Sequence, residues 1–361
     1  MTQRSVHLVG TYPAETTLDA MSSLVRALGA RLKTLPDGEV GERGNWLVCI
    51  IDGLREHPDF ELVKDGDWRD YEHIPRFRIR PRHRVTPATL NLGYAENART
   101  SYAEFAKLKE QNLELRHTDF QVGIASDLDL AFFTFGPLGG FTKRSLFRNA
   151  IAGDLERVAP RIRDDIVFQI EIPVELVLTA TLPAPIDAML ARILAKGVAK
   201  TVSRAPKGAR FGMHLCLGDL GHKALKQPAS ARPMVVLANA LARHWPADRR
   251  LEYLHVPLAF GDVPPVLHDG FYRPLERLEI PPETRFIAGF VHEEQSLEQQ
   301  HQVLGMVERY ARRTVDVASA CGLGRRTAGT RPRRGGQGCR TVRDVIANQR
   351  LPDARGPHGL V

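Results

Sequence analysis

An imidazole and a thiol two residues apart are the first chemistry this chain offers. The stretch "FGMHLCLGDLG" (211–221) carries His214 and Cys216 in an apolar segment that opens into Gly and Asp. In an extended strand residues i and i+2 point to the same side, so both groups project together near a strand end. Histidine and cysteine are the usual zinc donors, and thiolate ligands select zinc over magnesium or calcium. The same pair also suits an ordinary core strand, because free cysteine is among the most buried residue types. Similar groups recur at comparable places in later apolar segments: His255 in "LEYLHVPL", His292 in "RFIAGFVH" and Cys321 in "CGLGRRT". Cys49, in the apolar "NWLVCII", reads as a core residue, and Cys339 as incidental.

Acids and amides form a second set. "IVFQIEIP" carries Gln169 and Glu171, and "GTYP" at 10–13 places Tyr12 after the first apolar run. "PDGEVGERGNW" gathers Asp37, Glu39, Arg43 and Trp46 in a short loop. That loop suits recognition of a polar substrate, or equally a turn held by its own ion pairs and an N-cap.

What must position these groups is a repeating unit. Eight short apolar segments (6–10, 31–36, 120–125, 166–173, 210–217, 251–258, 285–292 and 315–322) alternate with helix-like stretches of i, i+3/i+4 apolar spacing. These predict an α/β fold, a single-domain (β/α)8 TIM barrel over 1–327, with its site at the C-terminal ends of the strands. An open doubly wound sheet is the alternative. Neither a G-x-G-x-x-G after the first strand nor a P-loop is present to support a nucleotide-binding version. A barrel brings the ends of strands 5, 6 and 8 together, although His214 and Cys321 lie far apart in sequence. Residues 57–98 are too long for a standard connection and predict an insertion after strand 2, a cap or a small hairpin.

Composition narrows the function classes. The chain has 361 residues, 43% hydrophobic and 25% charged, the balance of an ordinary soluble protein. No apolar run approaches the ~18–20 residues of a membrane span, and "MTQRSVHLVG" lacks a signal-peptide core, which points to the cytoplasm. Four cysteines in a chain this long make no disulfide framework. The net charge of +8 is carried by the end of the chain, where residues 325–361 hold nine arginines against two aspartates. The nearly neutral body therefore predicts no nucleic-acid face. The Arg/Gly/Pro-rich tail, 328–361, reads as disordered or as the product of a shifted reading frame, with RNA or anion contact as a further reading.

With these residues placed, the pattern resembles the C-terminal catalytic barrel of cobalamin-independent methionine synthase, from about residue 6 to 327. "GTYP" is similar to the family's opening "GS-aromatic-P", and "QIEIP" to its "Q-I-D-E-P" strand, with Glu171 at the substrate-binding acid. His214-Leu215-Cys216 resembles its zinc-binding "H-x-C", and Cys321 in "CGLGRRT" its last zinc cysteine. His292 in "GFVHEE" resembles its general-acid histidine. The family's remaining zinc ligand is a glutamate on strand 6, where this chain offers His255. The second acid of "D-E-P" is absent, and "PDGEVGERGNW" has no counterpart. The resemblance implies a zinc-dependent thiol methyl- or alkyltransferase. Zn²⁺ on His214, Cys216, Cys321 and His255 would activate a thiol as zinc thiolate, and His292 would serve as acid. Glu171, Gln169, Asp37, Glu39, Arg43 and Tyr12 would bind substrates, with a folate or a corrinoid as methyl donor. The alternatives are epoxide opening or thioether cleavage on the same zinc, or a zinc-free decarboxylase-like barrel.

Overall fold

The computed structural model describes residues 4–45, 47–158 and 165–326. In chain order the elements are α1 (Thr17–Leu28), β1 (Thr34–Pro36), α2 (Val48–Asp52), β2 (Phe60–Lys64), β3 (Arg76–Ile79), α3 (Tyr94–Gln111), β4 (Asp119–Ala125) and α4 (Asp127–Val158). They continue with β5 (Ile166–Glu171), α5 (Pro173–Thr181), α6 (Ile186–Val202), β6 (Arg210–His214), α7 (Arg232–His244), β7 (Arg250–Pro257), α8 (Asp269–Tyr272), β8 (Arg285–Val291), α9 (Leu297–Ala311) and β9 (Asp316–Ser319).

Seven strands pair in parallel in the order β1-β4-β5-β6-β7-β8-β9, a curled sheet in the manner of a half-barrel. Parallel neighbours require crossovers, which the helices supply, and burial on both faces favours near-continuous apolar strands. β5 is buried at every position, and β7 at all but Arg250. The helices bring caps of their own: Ser296 and Gln299 form a reciprocal capping box at the start of α9.

Eight strands were expected, and seven form the ladder. The segment 6–10 is extended chain that touches the sheet at Val6, which makes parallel bridges to both Leu32 and Val317. Its next carbonyls are diverted. Gln121 Nε2 donates to Leu8 O (2.9 Å) and Val9 O (2.8 Å), and Gln169 Nε2 donates to Val9 O (2.6 Å). Side-chain amides from the interior thus take bonds that a neighbouring strand would otherwise supply.

The interior beneath the strand ends is polar and satisfied. Tyr253 donates to Gln169 Oε1 (3.1 Å), His7 Nε2 lies 3.0 Å from the same oxygen, and Thr34 donates to Gln121 Oε1 (2.8 Å). One layer above, register aligns Glu171 with His214, and His214 with His255. Strand pairing alone therefore sets three chemically active side chains in one row.

The 57–98 region holds the antiparallel β2–β3 hairpin, a cap whose fastenings include one to the loop after β6 and one to α4. Tyr71 Oη accepts from Leu220 N–H (3.0 Å), in the loop after β6. Arg76 Nη1 donates to both Phe132 O and Phe133 O (2.9 Å each). Those carbonyls are free because α4 breaks at Gly136 (φ 80°, ψ −178°) and Pro137 has no N–H to give to Phe133. Among the described residues no helix is long and apolar enough to cross a membrane. The tail and Cys339 lie outside the described residues, as does Trp46.

Candidate metal centre and its cavity

Strand β6 ends at His214, and the chain stays extended far enough to turn Cys216 to the same side before Gly218 (φ +83°) bends it away. Cys321 arrives from the loop after β9. That loop is pinned by the "GTYP" segment: Leu323 N–H and Gly324 N–H donate to Thr11 O (2.8 and 3.2 Å). A Cβ on Gly324 would lie only 3.0 Å from Thr11 Cβ, so "GLG" serves close backbone approach.

These elements bring three donors together. Cys216 Sγ lies 3.8 Å from Cys321 Sγ, and Cys321 Sγ lies 3.9 Å from His214 Nε2. All three donor atoms fall within 4.8 Å of one another. Bond lengths of ~2.3 Å to sulfur and ~2.05 Å to nitrogen around a tetrahedral zinc give donor separations of about 3.6–3.8 Å. The spacing fits the metal.

The hydrogen-bond chain fixes which nitrogen of His214 faces the thiols. His255 Nε2 lies 3.0 Å from Ser319 O, a pure acceptor, so that nitrogen carries the hydrogen. His255 Nδ1 is then bare and accepts from His214 Nδ1–H at 2.7 Å. His214 Nε2 is left with its lone pair toward the cysteines. Burial holds both rings neutral: it lowers His255 to about 4 and depresses His214 well below the ordinary histidine value. His255 was expected as a fourth ligand. Both its nitrogens are committed, and it stands behind His214 rather than beside it.

Cys321 needs a neighbouring cation to ionise. The hydrogen bond to Cys216 and burial push the Cys321 thiol well up, with Arg325 opposing. Arg325 Nη1 lies 4.0 Å from Cys321 Sγ and 3.6 Å from Asp219 Oδ2.

A cavity opens above this cluster. Its floor includes Thr11, Cys216, Cys321 and Arg325, one wall holds Glu39 and Glu171, and Trp68, Tyr71 and Ile74 of the cap line it above. Its free volume of about 80 Å³ compares with the ~10–15 Å³ that one water takes, room for a small molecule's reacting end. Glu39, half-buried, and Glu171, buried, form an acid pair. Burial, then Glu171, raises Glu39 well above the carboxylate range, and burial raises Glu171 to about 7. Gln169 Nε2 steadies Glu171 Oε1 at 3.1 Å. Glu39 adopts φ +44°, and its carboxylate rests over two glycines: a Cβ on Gly10 would come within 2.8 Å of it, and one on Gly123 within 2.6 Å.

The fold has precedents among solved structures. A B12-independent methionine synthase from Shewanella sp. W3-18-1, in complex with selenomethionine, superposes with a TM-score of 0.58 at 13% identity, over 96% of this chain and 97% of that one. A putative vitamin-B12-independent methionine synthase from Listeria monocytogenes gives 0.53 at 10% identity, over 96% and 98%. The chain shares their fold. No family model matches the sequence, and no curated protein matches it.

Other expected site residues fall elsewhere. Asp37 accepts from Ser101 Oγ (2.6 Å), Arg43 Nη1 (2.7 Å) and Glu39 N–H (2.9 Å). Asp37 and Arg43 line a neighbouring cavity and hold the loop that presents Glu39, the ion-paired turn the sequence also allowed. Tyr12 donates its N–H to Gly38 O (2.8 Å) and does not line the main cavity. Gln169 is fully buried beneath Glu171. His292 is buried, with Nε2 on Gly261 O (3.0 Å) and Nδ1 accepting from Glu294 N–H (3.2 Å); burial, then Arg326, lowers it to about 4. It does not line the cavity. His292 also forms a cluster with His222 and Glu293, but Glu293 is paired with Arg326 there. Cys49 is half-buried and lines the neighbouring cavity.

Sequence reading missed Arg325 and the aromatic cap. The signals were present in the doubled arginine after "CGLG" and in "DWRDYEHIP" inside the insertion.

Proposed function

We propose that the chain is a zinc-dependent thiol methyl- or alkyltransferase, built on a (β/α)8 barrel that Val6 completes by bridging to both Leu32 and Val317. The observation that carries this reading is the clustering of His214 Nε2, Cys216 Sγ and Cys321 Sγ beside an open cavity. Three protein donors leave a coordination position for a substrate, as catalytic zinc sites do. Zinc bound there would lower the pKa of a substrate thiol and supply it as a nucleophile at neutral pH.

The chain's own residues do the rest. His255, through Ser319 O, holds His214 in the tautomer that offers Nε2. Glu39 and Glu171 receive an ammonium group on the thiol substrate, which replaces the proton the pair would otherwise hold. Arg325 places a positive charge beside Cys321 and ties its loop to Asp219. The cap, with Trp68 and Tyr71, excludes water from the reacting end and lets charges act at lower dielectric. The fold shared with methionine synthases is consistent with transfer to a thiol such as homocysteine.

The test is metal analysis combined with thiol titration. Purified protein is expected to hold one zinc per chain, and Cys216→Ser or Cys321→Ser to lose it. Cobalt-substituted protein is expected to show a sulfur-to-metal absorption change on adding an aminothiol. Absence of stoichiometric metal together with silent cysteine variants would falsify the reading.

A further inference from the structure

We propose that the second substrate is an onium donor, a sulfonium or quaternary ammonium, whose methyl or alkyl carbon is presented to the thiol by the aromatic wall of the cap. This rests on the thiol-transfer reading and names the class of its donor.

The first observation is the lining. Above the donor cluster the cavity is walled by Trp68, Tyr71, Ile74, Phe133, Leu220 and Leu225. The polar handles of the aromatic residues are spent elsewhere. Trp68 Nε1 donates to Asp52 Oδ1 at 3.1 Å, and Tyr71 Oη is engaged by Leu220 N–H at 3.0 Å. Ring surface is what these residues offer a ligand. The Trp68 and Phe133 rings lie 6.3 Å apart, centroid to centroid, on adjoining parts of that wall. Aromatic faces attract cations, and methylated onium groups most selectively, because their charge is spread over an apolar surface.

The second observation is charge. Glu39, Glu171 and Asp219 line the cavity, against Arg325 as its one basic residue among the described lining. Arg325 is already within 3.6 Å of Asp219. With the acid pair sharing a proton or an ammonium group, the lining offers a polyanionic donor no unpaired cation, and its residual charge favours a cationic one.

The third observation concerns protons. A donor that leaves as an alkoxide or amide anion needs an acid at the leaving atom. His292, the histidine expected for that task, has both nitrogens on backbone groups and does not line the cavity. Glu39 and Glu171 are assigned to the thiol's ammonium. An onium donor needs no acid. The thiolate sulfur forms a bond to the carbon, the carbon–X⁺ bond breaks with its electron pair going to X, and X departs as a neutral sulfide or tertiary amine. Charge and atoms balance with no proton moved.

The experiment is calorimetric titration of the zinc-loaded full chain with three probes: choline, its neutral isostere 3,3-dimethyl-1-butanol, and a pteroyltriglutamate. Choline is expected to bind at least tenfold tighter than the isostere, and the triglutamate more weakly than choline. Phe133→Leu and Trp68→Leu should bring the choline-to-isostere ratio toward one, whereas Phe133→Tyr, which keeps a ring, should retain it. An isostere as tight as choline overturns the proposal in favour of a neutral donor such as an epoxide. A tighter triglutamate overturns it in favour of a folate, and absence of choline binding overturns it outright. The cobalt–thiol absorption change is read in parallel on cobalt-substituted preparations of the same proteins. Its loss strikes the thiol-transfer reading, while its persistence without onium preference strikes this inference alone.

Discussion

In the proposed zinc site His255 would act without touching the metal. Its value lies in a chain of donors and acceptors from Ser319 O to His214 Nε2. Removing such an orienting partner typically costs 10–100-fold in metal affinity. His255→Ala is therefore expected to weaken zinc binding by that order in a competitive chelator titration, with Cys216 and Cys321 intact. The acid pair makes a second prediction. Glu171 is raised to about 7 from an ordinary 4.5, so the folded chain holds more protons than the unfolded one between those values. Stability from this group is thus full below about pH 4.5 and is lost as pH rises through 7. In metal-free protein, Glu171→Gln should flatten the fall in melting temperature between pH 5.5 and 8. The same titration should tighten binding of an aminothiol as pH rises through 7, because the pair gains negative charge. Gly123→Ala should push the Glu39 carboxylate aside, raising KM for the aminothiol several-fold while metal content is unchanged. His214, Cys216 and Cys321 were legible as residues because their types are rare and chemically specific. The role of His255 was not, since sequence shows that a histidine is present but not which way its nitrogens face.

At the scale of elements, most strands and helices were written in apolar periodicity, and the exceptions have identifiable causes. Strand 6–10 fails to form a ladder because Gln121 and Gln169 claim the carbonyls of Leu8 and Val9, and no local pattern announces such a long-range capture. α4 is two helical segments joined at a break: Gly136 and Pro137, residues that normally end a helix, separate a first segment from Asp127 from a second that runs to Val158. Between β7 and β8 the crossover is short, α8 plus a 3₁₀ turn at Pro274. The insertion was legible as an excess of length, but its work as a roof needed the anchors at Leu220 and α4. Arg76→Ala removes two charge-assisted hydrogen bonds and exposes two unsatisfied carbonyls, a loss of about 2 kcal/mol. Hydrogen exchange is expected to speed up across 60–79 and around 132–136, with little change in β5–β8.

For the whole molecule, the site is a joint between distant parts of one sheet. His214 and Cys216 come from β6 and its exit, Cys321 from beyond β9, and Glu39 from the loop after β1. On the proposed reading, metal bound there would tie these parts together, and a ligand that binds only the folded form stabilises it by mass action. Chelation should lower the melting temperature by several degrees and leave far-UV circular dichroism nearly unchanged at 25 °C, checked by readdition of zinc. The neutral body and basic tail were plain from composition. The juxtaposition of strand ends was legible only through the fold class, because spacing in sequence says nothing of it.

The clamp between Thr11 and the Cys321 loop has a consequence for biosynthesis. Gly324 N–H reaches Thr11 Oγ1 across 313 positions at 3.3 Å, among the longest-range contacts in the chain. Such contacts carry a high closure entropy and form late. On the ribosome, His214 and Cys216 emerge more than a hundred residues before their partner. Nascent chain lacking residue 321 has only two of the three donors, so assembly of the proposed centre would await Cys321. Occupancy of the centre would then serve as a certificate that the stretch from Thr11 to Gly324 has been made and folded together.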